Sequence, residues 1–179
     1  MAPNCVLPFE NVNLFPSGPL VRTNLPYYVR INDSGPGGRS DIDLIVANMN
    51  HIEKDNLPFI LTNADVKSIK KAAVEVKGWH TEKVSPNTNN FERLRYFTRE
   101  EAVKAVQEVF GMCDFNKILI IPSLAHRRQE ETIDQLRSFG IDHVIEFKTI
   151  MDNLYDSVST KENSTSEVLQ TIRLLKIYR

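Results

Sequence analysis

The sequence predicts an α/β fold in which helices flank a mixed β-sheet. Residues 117–122 form a short continuous apolar run, which is typical of a strand buried on both faces of a sheet. Residues 98–110 combine a helix-start motif with apolar residues at helical spacing. The predicted order is strand, strand, strand, helix, strand, helix, strand, helix. This order indicates an antiparallel meander followed by strands that are joined through right-handed crossovers.

Length and composition indicate one globular domain. Of the 179 residues, 41% are hydrophobic and 25% are charged, which are ordinary values for such a domain. The 22 Lys and Arg residues balance 23 Asp and Glu residues. This balance excludes a protein that coats nucleic acid by bulk electrostatics but allows a local basic face. Cys5 and Cys113 lack the spacing of a zinc site or a disulfide framework. We therefore expect two thiols that are buried or idle, binding no metal and forming no disulfide.

Two signals that would send the chain to a membrane are missing from the sequence. No apolar run is long enough to span a bilayer, and the N-terminus lacks the basic-then-apolar order of a signal peptide. We therefore expect a cytoplasmic protein with no membrane partner.

The N-terminal part of the chain divides at residue 26. Five prolines in residues 1–26 predict an irregular arm, because proline lacks a backbone donor and restricts the residue before it. Residues 27–179 are expected to form the single α/β domain. The first strand is predicted at residues 27–31 and the second at residues 40–47. The second strand turns apolar after Asp43, so it should enter the core as it proceeds.

The remaining elements are predicted from the spacing of apolar residues and from the residues that begin and end helices and strands. Residues 51–71 are polar and are expected to form a loop, and the third strand is predicted at residues 72–79. Thr98 and Glu101 form a possible capping box for a helix that ends at Gly111. Further elements are a strand over 117–122, a helix over 126–139, a strand over 141–147, a linker over 157–166 and a closing helix carrying Val168, Leu169, Ile172, Leu175 and Ile177.

A charged pair lies in the third predicted strand. Glu75 and Lys77 are two positions apart and therefore share one face, while Val74 and Val76 share the other. Burying such a pair among Ala and Val costs several kcal/mol unless the charges have partners. One interpretation is a functional site. The other is an ordinary cross-strand ion pair on a solvated face.

Carboxylates in the second predicted strand favour the functional interpretation. Asp41 and Asp43 share a face, and their strand can pair with that of Glu75. Asp43 and Glu75 would then converge beside Lys77 and hold Mg²⁺ or Mn²⁺, which prefer oxygen ligands. Such an ion polarises a phosphodiester and activates water, while Lys77 orients that water or neutralises developing charge. Asp41 is either an auxiliary metal ligand or a strand-entry residue.

These residues resemble the PD-(D/E)XK, or restriction-endonuclease-like, superfamily, which includes archaeal-type Holliday junction resolvases. The matching motifs are Asp43 within residues 38–45 and Glu75-Val76-Lys77 within residues 73–78, and the similarity covers about residues 27–150. The resemblance implies a three-layer α/β/α fold with a central mixed sheet. It also implies a metal-dependent endonuclease acting on DNA, with Asp43, Glu75 and Lys77 as its catalytic residues and Asp43 and Glu75 as its metal ligands. Family members commonly open with a helix that can add a glutamate, whereas this chain has only Glu10 in its proline-rich arm.

Contacts to nucleic acid are expected from a local excess of positive charge. Between residues 67 and 99 the chain carries eight basic residues against three acidic ones. This excess fits a phosphate-binding face and equally fits a solvated loop. A homodimer is plausible because cutting two strands requires two active sites. The residues predicted to contact nucleic acid are Arg39, His80, Lys83, Arg93 and Arg95.

Two other functions remain open from the sequence. Asp41-Ile42-Asp43 also resembles the Asp-x-Asp motif of polymerase-β-type nucleotidyltransferases. Against this, Ser34-Gly35-Pro36 is too close to the aspartates and too broken by proline to open the expected helix, and Lys77 would have no necessary role. The remaining alternative is a nucleic-acid-binding module without catalytic activity.

Overall fold

The structure, a computed structural model, describes residues 20–29, 38–78, 83–158 and 167–177. No helix in these ranges is long and apolar enough to cross a membrane. The strands are β1 (Leu20–Val29), β2 (Gly38–Ala47), β3 (Lys71–Val76), β4 (Asn116–Ile121) and β5 (His143–Glu146). The α-helices are α1 (Asn63–Val66), α2 (Glu100–Phe110), α3 (Gln129–Ser138), α4 (Phe147–Ser157) and α5 (Glu167–Ile177).

The five strands form one mixed sheet in the order β1-β2-β3-β4-β5. β1, β2 and β3 pair antiparallel, whereas β3, β4 and β5 pair parallel. The parallel strands are connected through α2 and α3, because a parallel neighbour can be reached only by a crossover. The predicted α/β class, the antiparallel meander and the parallel second half are thereby confirmed.

Each face of the sheet carries its own hydrophobic cluster. In β4, Leu119 and Ile121 pack into a first cluster, which also contains buried residues of α2 and α3. Ile118 and Ile120 pack into a second cluster, which is covered by Leu61, Ile69 and the start of α4. This alternation explains why β4 is apolar at every position from Ile118 to Ile121.

Both outer edges of the sheet differ from what the sequence predicts. β1 begins at Leu20, earlier than the expected residue 27, and it contains Pro26. Proline fits there because β1 is an edge strand, in which one row of backbone positions has no partner to bond. At the other edge, Leu61 donates to the carbonyl of Val144 at 2.8 Å, so part of the predicted loop covers β5. Residues 1–19 of the predicted arm lie outside the described residues.

A 3₁₀ helix over Phe91–Thr98 was not expected. It buries Phe91, Leu94 and Phe97, whose spacing of three matches the 3₁₀ repeat. The predicted capping box at Thr98 and Glu101 is wrong, because α2 has Arg99 as its N-cap and no side-chain cap hydrogen bond. The hydroxyl of Thr98 instead donates to the carbonyls of Arg95 and Phe139, and this tertiary contact fixes the 3₁₀ helix against the end of α3.

Three further segments refine the sequence-based picture. Residues 147–157 form α4 directly after β5, and this helix was not predicted from the sequence. The closing helix is confirmed as α5. Cys113 is buried and takes part in a disulfide bond, so the expectation of an idle thiol is wrong for this residue, while Cys5 lies outside the described residues.

The connection into β3 is fixed by the buried carboxylate of Asp65 in α1. This carboxylate accepts hydrogen bonds from the Thr62 hydroxyl at 2.6 Å, from the Thr62 backbone N–H at 2.9 Å and from the Lys54 ammonium. The Lys54 hydrogen bond is the largest cause that lowers the pKa of Asp65, from 3.8 to about 2, and the two bonds from Thr62 add to it. The carboxylate therefore stabilises the fold in its ionised form.

Replacing Asp65 with alanine is expected to lower the free energy of unfolding near neutral pH by about 1–2 kcal/mol, because the hydrogen bonds from Thr62 and Lys54 lose their acceptor. A lowered pKa means that the contribution is present above the unfolded value of 3.8 and is lost as the pH falls towards 2. Urea denaturation across this pH range measures both effects. Asp55→Ala, which removes an exposed carboxylate from the same loop, is the control and should change little. An Asp65→Ala loss that is independent of pH would contradict this account.

Candidate functional site

The candidate site lies where β2 and β3 separate. Their pairing ends at Leu44 and Val74, although β3 continues to Val76. One position further along each strand are Asp43 and Glu75. The Asp43 carboxylate accepts a hydrogen bond from the backbone N–H of Val76 at 2.6 Å, in the place where a backbone carbonyl would otherwise bind. The prediction that the strands of Asp43 and Glu75 are neighbours is confirmed.

The strands around Asp43 depart from regular alternation. Ile42 and Ile45 both pack into the first hydrophobic cluster, whereas strict alternation would place them on opposite faces. In the register of β1 with β2, Asn24 falls opposite Asp43, and its φ of 53° is left-handed. Asparagine is one of the few residues that tolerate this conformation. Asp41 is exposed and Asp43 is half-buried.

Glu75 and Lys77 are in direct contact. The Lys77 ammonium donates to Oε1 of Glu75, which confirms that the two side chains share a face. The Glu75 side chain is only 9% exposed, and that of Lys77 is 31% exposed. The alternative of an ordinary ion pair on a solvated face is therefore wrong for Glu75.

The second oxygen of Glu75 is unsatisfied. Oε2 is buried and has no hydrogen-bond partner among the described residues. Burial raises the pKa of Glu75, the hydrogen bond and charge of Lys77 oppose this, and the charges of Asp43 and Asp41 add to it. A buried acceptor of this kind costs free energy unless a donor or a cation reaches it.

Three residues near the carboxylates were missed by sequence reasoning. Tyr27 of β1 is buried, and its side chain is hydrogen-bonded to Ser40 of β2. Burial raises the pKa of Tyr27, the Ser40 hydrogen bond opposes this, and the charges of Glu75 and Asp41 raise it further. Arg99, at the start of α2, is close enough to lower it. Only the pairing of β1 with β2 and the packing of α2 bring these residues to the site, so no local signal could have revealed them.

The carboxylates fit a Mg²⁺ or Mn²⁺ ion held through few protein ligands. Among the described residues, no group of three or more His, Cys, Asp or Glu side chains is arranged to hold a metal. Mg²⁺ is usually bound by one or two carboxylates, with water and substrate oxygens completing its shell. Asp43 and Glu75 supply that number, and Oε2 of Glu75 is a buried acceptor without a hydrogen-bond partner among the described residues. Asp41 lies at the exposed rim of this pair, and Glu10 lies outside the described residues.

The residues predicted to contact nucleic acid are only partly visible. His80 and the side chain of Arg39 lie outside the described residues. Lys83 is exposed and precedes Val84, which forms a bridge with Leu124 beyond the end of β4. Arg93 and Arg95 are exposed on the 3₁₀ helix, and Arg95 lies 3.7 Å from Glu92.

The basic residues between positions 67 and 99 do not form one cluster. Lys67 ends α1, Lys70 and Lys71 lie at the beginning of β3, and Lys77 follows the end of that strand. The two ends are about 20 Å apart at roughly 3.3 Å per residue. Lys71 is also buried, with its ammonium 5.5 Å from the centre of the Phe110 ring. The charge excess in the sequence therefore overestimates any continuous phosphate-binding surface.

Glu75→Gln is expected to raise the free energy of unfolding of the metal-free protein near neutral pH, on the order of 1 kcal/mol, because burial disfavours the Glu75 charge and the partly exposed Lys77 can be hydrated without it. Burial raises the pKa of Glu75 in the folded state, so its ionisation opposes folding, and the difference should appear as the pH rises and vanish in acid. Denaturation curves at several pH values measure this.

The control for this prediction is Glu131→Gln. A hydrogen bond with Arg128 lowers the pKa of Glu131, so this substitution should act in the opposite direction. A Glu75→Gln variant that is less stable than the wild type at neutral pH would show that ionisation of Glu75 does not oppose folding.

Comparisons with known proteins found no similar protein. No family model matches the chain, and no match was found among curated proteins or solved structures. The site must therefore be interpreted from its own residues.

Proposed function

We propose that the protein is a metal-dependent nuclease that hydrolyses phosphodiester bonds, and specifically an endonuclease acting on DNA with Mg²⁺ or Mn²⁺. The observation that carries this proposal is the buried Glu75 carboxylate, which has one oxygen on Lys77 and the other without a partner. Asp43 lies beside it at the fork of two strands. The same three residues are those that the resemblance to PD-(D/E)XK nucleases implies.

Asp43 and Glu75 are the proposed metal ligands. The backbone N–H of Val76 holds the Asp43 carboxylate, and the surrounding core holds Glu75, so neither side chain must be ordered when an ion binds. Preorganised ligands of this kind reduce the cost of binding. A bound divalent cation would polarise the phosphodiester and supply an activated water.

Lys77 is the proposed residue for stabilising negative charge. Its ammonium lies between the buried carboxylate and solvent, since the side chain is 31% exposed. From this position it can reach an oxygen of a phosphodiester that approaches from the open side of the site, which is the solvent side on which Lys77 is exposed. Electrostatic stabilisation of charge that develops in the transition state is commonly the largest contribution to catalysis.

The position of the site in the sheet also favours a ligand-binding role. Glu75 and Lys77 lie at the carboxyl end of β3, and β3, β4 and β5 are parallel. In open α/β sheets, ligands commonly bind outside the carboxyl ends of the strands. Lys83 is exposed on the segment that follows β3 and can add a contact to a phosphate.

The nuclease proposal predicts that Asp43→Asn and Lys77→Met each reduce metal-dependent DNA cleavage by about 10²–10³-fold, because each removes a charge from the reacting centre. Cleavage of labelled duplex, branched and single-stranded DNA with Mg²⁺ or Mn²⁺ is the measurement. Asp142→Asn and Lys117→Met are the matched controls, since Lys117 and Asp142 form another lysine–carboxylate pair, at 2.9 Å. Both controls should retain activity.

Other outcomes would replace this proposal. DNA binding without cleavage in the wild-type protein would favour the non-catalytic binding module. Incorporation of nucleotide from a triphosphate would favour the nucleotidyltransferase. Equal losses in the site variants and in the control variants would show that stability, and not chemistry, had been changed.

A further inference from the structure

The contact between Lys77 and Glu75 has the form of an occupied cation site. Glu75 is 9% exposed, and its charge is neutralised by a single ammonium on Oε1. Oε2 remains buried without a partner. A compact ammonium satisfies only one of the two oxygens, whereas a divalent cation carries twice the charge and binds oxygen at short range.

Lys77 is able to leave this position. Its side chain is 31% exposed and has a flexible four-carbon stem, so the ammonium can move from the carboxylate into solvent without carrying the backbone with it. The backbone stays fixed because the Lys77 N–H donates to the carbonyl of Ile120 at 2.8 Å. Glu75, in contrast, is buried in the sheet and cannot follow.

The pair of Lys117 and Asp142 shows what a structural lysine–carboxylate contact looks like in this chain. Oδ2 of Asp142 accepts both the Lys117 ammonium at 2.9 Å and the Lys117 backbone N–H at 2.7 Å. Its side chain is 38% exposed, so water can reach the carboxylate. Glu75 has neither a second donor nor comparable access to solvent, which leaves Lys77 as its principal counter-charge.

We propose that the Lys77 ammonium holds the cation position on Glu75 in the metal-free protein and leaves it when a divalent cation binds. This inference rests on the proposed function, because it assumes that Glu75 is a metal ligand. Lys77 thus keeps the buried carboxylate paired before binding, and it is released towards the open side of the site, where a phosphodiester would lie. Lys77 and the metal compete for one carboxylate.

Competition between Lys77 and the metal ion predicts a change in metal affinity that a lysine acting only in catalysis would not cause. Removing Lys77 should strengthen metal binding even though it slows cleavage, because the carboxylate loses its internal competitor. A lysine that acts on the substrate without competing for Glu75 would leave the metal affinity unchanged. A lysine that holds the carboxylates in the metal-binding arrangement would weaken metal binding when removed.

The experiment measures Mn²⁺ binding to the full chain by electron paramagnetic resonance of the free ion. Lys77→Met is expected to lower the Kd for Mn²⁺ on the order of tenfold relative to the wild type. Lys117→Met is the control and should leave the Kd unchanged. Lys77→Gln provides a second, polar variant if the methionine variant does not fold, which circular dichroism would show.

A second readout tests the displacement itself. The wild-type protein is treated with an amine-acetylating reagent, and the modification of Lys77 is quantified by mass spectrometry with and without Mn²⁺. Release from Glu75 should increase the modification of Lys77 on addition of Mn²⁺, while that of Lys117 stays constant. An increase at both lysines would indicate general opening and overturn the proposal.

The outcomes separate this inference from the proposed function. Tighter Mn²⁺ binding by Lys77→Met supports the inference, including the case in which the wild type binds too weakly to measure. Equal or weaker binding by Lys77→Met, with clear binding by the wild type, overturns the inference and leaves the nuclease proposal standing. Absence of Mn²⁺ binding in both proteins overturns the inference and the proposed metal site together.

Discussion

A carboxylate buried within a β-sheet requires a cation beside it, and the arrangement around Glu75 follows from this requirement. Its charge is removed from water by the first hydrophobic cluster and by the neighbouring strands. Lys77 neutralises one oxygen, but the other remains unsatisfied. Asp43 and Asp41 add negative charge to the same region and raise the pKa of Glu75 further. A protein that needed only stability would place an apolar residue here.

The sheet makes this costly arrangement possible. β3 lies between β2 and β4, so its backbone is hydrogen-bonded on both sides up to Val74. This pairing holds the backbone that carries the buried charge. Beyond Val74 the pairing with β2 stops, and a side chain, Asp43, takes over the hydrogen bond to Val76. This fork therefore separates β2 from β3 at the carboxyl end of β3.

The neighbours of the site come from distant parts of the chain. Tyr27 and Ser40 reach it through the pairing of β1 with β2, and Arg99 reaches it through the packing of α2 against β1. The Thr98 hydroxyl, which the local motif assigns to capping α2, is used to fix the 3₁₀ helix to the end of α3. Local sequence preferences therefore yield to tertiary contacts near the site, as they often do at functional positions.

Sequence patterns alone were enough to predict the α/β class, the central strands, the helices α2, α3 and α5, and the shared face of Glu75 and Lys77. These features depend on periods of 2.0 and 3.6 residues, which are local and can be recognised in one chain. The folded chain was needed to see the fork at Asp43, the earlier start of β1, the proximity of Tyr27 and Arg99 to the site, and the separation of Lys71 from Lys77. These features depend on the register between strands, on the order of the strands in the sheet and on which backbone N–H groups the strand pairing leaves for side chains. All three are set by contacts between residues far apart in the chain, to which local periodicity is insensitive.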